Sequence, residues 1–183
     1  MIVIGIIAAI LALGMPNFKK PTNNIKKVTR ELLVLAKEVR HYARLKNSTY
    51  RIALKMGKGG SYWVEAASGN ILVKSEENLK YELELSDTEK PKSPFTKTDK
   101  PLKKEKELSG DFYFSQLEIP NRTEPITKDM AYIHFSPEGM VENCALQITD
   151  GKNLTWTLIF NPLTGQADIV EKAMSLKDAQ EQK

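Results

Sequence analysis

Met1 to Met15 (MIVIGIIAAILALGM) carries no charged and no strongly polar side chain, and this run limits what the chain can become more than any other feature. As a helix it would rise about 1.5 Å per residue and extend roughly 22 Å. That is short of the roughly 30 Å hydrocarbon core of a bilayer by about five or six residues. A helix apolar on every face needs lipid or a large apolar surround. A secretory signal fits poorly, because such signals carry basic residues before the apolar stretch and a small-residue cleavage site after it, whereas Lys19 and Lys20 follow the run here. Residues 1–20 are therefore expected to form a membrane or filament helix, incomplete at its N-terminal end. Ile2, Val3, Ile4, Ile6, Ile7, Ile10, Leu11 and Leu13 form its packing surface, and Pro16 marks its exit. Taken alone, the positive-inside rule puts the body of such a chain in the cytoplasm; a basic leader ahead of Met1 would reverse the orientation.

Pro16 and Pro21 bracket a break or kink, since proline removes an intrahelical hydrogen bond and crowds the preceding turn. Residues 21–49 then read as an amphipathic helix. Ile25, Val28, Leu32, Leu35, Ala36, Val39 and Ala43 recur at steps of three and four, with Lys26, Lys27, Arg30, Lys37 and Arg44 on the opposite, solvated face. From Tyr50 the period changes to two, and residues 50–170 read as an antiparallel β head. Tyr50, Ile52 and Leu54 alternate with polar residues, Gly57-Lys58-Gly59-Gly60 turns the chain, and Tyr62 and Val64 resume the alternation. Further strands are expected at 71–73, 79–85, 112–117, 131–135, 144–148, 154–160 and 166–170. Turns fall at Pro137-Glu138-Gly139, Asp150-Gly151 and Pro162-Leu163-Thr164-Gly165. Residues 86–110 are rich in Pro and Lys with almost no apolar periodicity, so an exposed, partly disordered loop is expected. Residues 171–183 form a charged tail in which Lys172, Lys177 and Lys183 balance Glu171, Asp178 and Glu181.

The reactive inventory is thin. His41 and His134 are the only histidines and form no spaced ligand pair. Cys144 is the single cysteine, which excludes an intrachain disulfide and a cysteine-based zinc site. It reads as a small buried residue in a strand. The Gly57–Gly60 run lacks the earlier Gly and the following Ser or Thr of a phosphate loop, and Asp150-Gly151-Lys152-Asn153 lacks the carboxylates of a calcium loop. No catalytic, cofactor or metal site is expected. The net charge of +4 equals the surplus of residues 90–107 alone, where seven Lys face Asp99, Glu105 and Glu107. The remainder is near neutral, a poor footprint for a dedicated nucleic-acid binder.

The run IVIGIIAAILALGMPNF closely resembles the N-terminal helix of type IV pilins and type II secretion pseudopilins. In that family a short basic leader ending in Gly precedes the stretch, followed by an aromatic residue and a few apolar residues with a Glu. Those residues are not in this chain. The resemblance then implies translation assigned to an internal Met, or a trimmed chain, and neither the processing site nor the intersubunit Glu falls on a residue here. The segment HFSPEGMVENCALQIT, followed by LTWTLIFNPLTGQADIV, looks like the C-terminal signature of the GspH/FimT group of minor pseudopilins: Phe-x-Pro-x-Gly, a strand, and a hairpin closing on a Thr-Gly turn. With HYARLKNSTYRIAL the likeness touches most of the chain except the Lys-rich insertion.

The resemblance implies an α+β pilin-like fold, a long N-terminal helix packed on an antiparallel head. It implies a filament subunit that is not an enzyme and needs no cofactor, sited in the bacterial inner membrane with a single span and its head in the periplasm. Its partners would be other pseudopilins or pilins through helix packing, the inner membrane, a prepilin peptidase and secreted proteins. A minor pilin of a type IV pilus system is the alternative, with DNA binding for uptake through Lys97, Lys100, Lys103, Lys104 and Lys106 as its sharpest form; such binding would be salt-sensitive and sequence-independent.

Overall fold

The computed structural model describes residues 21–71, 93–108, 110–120 and 122–181. The expected apolar helix of residues 1–20, with Ile2 to Pro16, lies outside the described residues, as do the strand expected at 79–85 and most of that at 71–73. Helix α1 (Pro21–Lys46) opens on proline, whose missing N–H costs nothing in a first turn. It closes at Asn47, which holds a left-handed φ of 46° and donates its N–H to the Arg44 carbonyl at 3.3 Å. The apolar stripe is buried as its spacing requires, with Ile25, Val39 and Ala43 at 0% exposure. Thr29 shares that buried face and satisfies its hydroxyl by donating to the Ile25 carbonyl at 2.9 Å.

The head holds two antiparallel sheets rather than one. The first joins β1 (Ser48–Lys55) to β2 (Ser61–Ser68) on one side and to β6 (Met130–Phe135) on the other. The second runs in the order β5 (Tyr113–Glu118), β7 (Cys144–Thr149), β8 (Thr155–Asn161) and β9 (Gln166–Val170). A bridge between Gly57 and Phe114 links them. Helix α1 lies against β1 and also touches β6, β7, β8 and β9, so its stripe and both sheets close over one core. Phe114, Phe135 and Phe160 are among its largest fully buried side chains, and Phe135 meets Phe160 edge to face at 6.5 Å. The architecture is α+β, a helix packed on antiparallel sheets.

Two segments carry order that periodicity does not show. Within the Lys-rich stretch, residues 93–108 form an arm that adds two short strands to the free edge of β2. These are β3 (Thr96–Lys97), paired with Glu65 and Ala66, and β4 (Lys106–Glu107), paired with Ser61 and Tyr62. An unpaired strand edge offers backbone donors and acceptors to any segment nearby, and Leu108 adds a buried anchor at 9% exposure. The charged tail is docked as well. Met174 and Leu176 are buried, Lys172 and Met174 give their carbonyls to the Thr157 hydroxyl and the Gln147 amide, and the Leu176 N–H reaches Glu118 Oε2 at 2.7 Å. A short helix α2 (Leu176–Glu181) follows.

Candidate interaction surfaces

The first surface is the joint between the C-terminal half of α1 and two turns of the head. Arg40 Nε donates to the Gly139 carbonyl at 2.6 Å. Gly139 and Gly165 hold φ of 86° and 63°, where a side chain is strained. A Cβ at Gly139 would meet Arg44 Cδ at 2.6 Å, which that exposed side chain can relieve by moving, whereas one at Gly165 would meet both Arg40 and, at 2.6 Å, the Gly139 carbonyl. Gly165 is required by close approach of backbone as well as by turn geometry, and Gly139 by turn geometry. Around this end Leu45, Met140 and Leu163 stay exposed, Leu163 at 85%.

The second surface is the outer face of the first sheet, where register sets a row of polar side chains opposite one another: Lys97, Glu65, Arg51 and His134. Arg51 is its centre. The guanidinium is stacked between Tyr132 at 3.8 Å and Phe95 at 4.0 Å and bonds Glu65 Oε2 from Nε at 2.7 Å. Glu65 Oε1 accepts the Trp63 Nε1–H at 2.8 Å, and His134 Nδ1 lies 2.9 Å from Glu142. These cross-strand partners explain why Ala53, set between Trp63 and Tyr132, is fully buried on the face away from α1.

The third surface is the arm. Lys97 pairs with Glu105 at 3.0 Å and lies 5.0 Å from the Trp63 ring centroid; Lys106 crosses to Glu31 of α1 at 2.6 Å. Glu105 also accepts the Ser61 hydroxyl at 2.6 Å. That hydrogen bond, followed by the contact with Lys97, holds its carboxyl below the usual range. The five lysines expected to form a basic contact are therefore split. Lys97 and Lys106 are engaged with carboxylates, while Lys100, Lys103 and Lys104 are exposed and form no ion pair among the described residues.

His41 is exposed on α1 against Tyr42, and Cys144 is buried, with burial and then the charge of Glu142 pushing its thiol well up. Asp150 accepts the N–H groups of Lys152 and Leu154 in a turn. No group of three or more His, Cys, Asp or Glu could hold a metal ion, and no helix is long and apolar enough to cross a membrane, among the described residues. The roles of Arg40, Arg51, Glu31 and Glu105 escaped the sequence reading. Arg51 falls on the polar phase of the β1 alternation, so periodicity places it on the outer face but does not single it out. Comparison with known proteins returns no matching family model, curated protein or solved structure.

Proposed function

We propose that the chain is a filament subunit of the pilin-like class, in its sharpest form a minor pseudopilin of a type II secretion system. The observation that carries this reading is the order of parts along the chain: an apolar run, Met1 to Met15, and, after five intervening residues, a helix that packs on the head. A 26-residue helix buries one stripe on a two-sheet head, and its first residue follows directly on residues 1–20. Such a layout separates tasks: the head folds on α1, and the apolar segment is left to partition between lipid and a bundle of like helices, two surroundings of similar polarity. In this reading the inner membrane holds the subunit before assembly, a prepilin peptidase processes it, and the head stands in the periplasm beside other pilin-like subunits and secreted proteins. The protein performs no reaction.

Mass spectrometry of the N-terminal peptide of native, membrane-extracted protein tests the reading. A start several residues ahead of Met1, with a methylated aromatic first residue, is the expected result. An unprocessed start at Met1 in protein that leaves the membrane without detergent would overturn it. The DNA-uptake reading has a narrower base, because engagement of Lys97 and Lys106 leaves three of its five lysines exposed without a partner among the described residues. A gel shift at low salt decides it, since a real phosphate contact weakens steeply as salt rises.

A further inference from the structure

Between the N-terminal half of α1 and the arm runs an open groove of about 620 Å³. One wall is a helical stripe, Lys27, Arg30, Glu31, Val34 and Glu38, and the other is the arm at Leu102 and Lys106. The floor is apolar. Leu35 and Tyr62 are buried beneath it, Leu102 packs on the core, and Val34 stands 52% exposed, one of four large hydrophobic residues so exposed among the described residues. The charges are unevenly placed. Lys26, Lys27 and Arg30 crowd the N-terminal end and form no ion pair among the described residues, Glu31 is engaged by Lys106 across the groove, and Glu38 lies at the far end.

We propose that this groove binds an extended peptide segment of a partner protein that carries clustered carboxylates beside a large apolar side chain. The carboxylates meet Lys26, Lys27 and Arg30, where the cationic excess lies. The apolar side chain covers Val34 and Leu102, ending their exposure to water. Lys27 to Glu38 rises roughly 17 Å along the helix, the length of about five residues of extended chain, and the segment passes over the Glu31–Lys106 ion pair that joins the two walls at 2.6 Å. Glu38 repels a carboxylate at the far end and so keeps the acidic part of the segment beside Lys26, Lys27 and Arg30. A nucleic-acid strand fits less well, because the apolar floor offers nothing to a phosphate backbone and Tyr62 is too buried for a base to stack on. The inference does not rest on the filament reading.

The test is fluorescence anisotropy of a fluorescein-labelled Asp-Glu-Asp-Leu-Phe-Ser peptide against the full chain in a non-ionic detergent. Saturable binding is expected, weakened several-fold when NaCl is raised from about 0.05 M to about 0.3 M. The double variant Lys27→Glu/Arg30→Glu should lose about tenfold in affinity. Both positions are exposed, so its unfolding temperature should stay near that of the parent, which circular dichroism checks. Val34→Asp should weaken binding to a similar degree, and a peptide with Leu-Phe replaced by Ser-Ser should bind at least several-fold more weakly. Absence of saturable binding overturns the proposal. So does equal affinity for the Ser-Ser peptide, or displacement by an oligo-dT strand or by phosphatidylglycerol carried in the detergent micelles at matched charge, either of which would make the surface a general polyanion patch.

Discussion

The joint between α1 and the second sheet and the arm along the first sheet are both contacts between distant parts of the chain, yet they are held by different forces. At the joint, two glycines at positive φ let the turns close on the arginine stems, and at Gly165 the Gly139 carbonyl comes so near that a Cβ has no room. Along the arm, two-residue strands and partly exposed ion pairs carry the contact, with side chains such as Lys97 and Lys106 about half exposed. Steric closure does not respond to salt or pH. Exposed charge pairs respond to both. The head is therefore built with one fixed face and one that solution conditions can loosen.

The largest expected effect lies in the core that both regions share. Phe160→Ala removes half of the edge-to-face pair with Phe135 and should cost about 3–5 kcal/mol in urea unfolding. Gly165→Ala attacks the joint directly and should cost about 1–3 kcal/mol through its positive φ, with crowding added. Adding Arg40→Ala should recover only part of the loss, because the Gly139 carbonyl remains in the way; full recovery would show that backbone geometry contributes nothing. Arg51→Ala, on the arm's side, should cost about 2 kcal/mol by unstacking Phe95 and Tyr132 and leaving Glu65 with Trp63 alone.

Smaller still, Lys106→Ala should change global stability by less than about 1 kcal/mol while speeding proteolysis within residues 93–108. Acid should act on the same segment. Glu105 has its carboxyl lowered on folding, so its contribution is present above the unfolded-state value and is lost as pH falls through the lower folded one. Hydrogen exchange of the arm should rise across that acidic window, and Glu105→Gln should flatten the response. A null result completes the comparison: Cys144 should stay unreactive to Ellman's reagent in the native protein and react once guanidinium opens the core.

Periodicity carried most of this architecture. The stripe from Ile25 to Ala43 named the buried face of α1 residue by residue, and the alternation of Tyr50, Ile52 and Leu54 gave β1 its inward side. What periodicity could not carry is structure that borrows order from elsewhere. Strands β3 and β4 hold no pattern of their own and exist because β2 has a spare edge. The tail reads as balanced charge, but two apolar residues and the acceptors of Lys172 and Met174 dock it. The groove and the Arg51 stack likewise depend on Leu102, Lys106 and Phe95, residues placed by that borrowed pairing.

One consequence follows from where the strands end. The arm covers the outer edge of β2, Val141 and Glu142 pair with the end of β6, and Gly57 and Ile126 bridge to the outer edge of β5. A head so finished offers its neighbours side chains and turn carbonyls rather than open rows of backbone at these borders. Crowded side by side, copies of this domain should resist fusing into continuous sheet across these borders, which leaves the outer edge of β9, paired only with β8 among the described strands, as the place where such fusion would have to start.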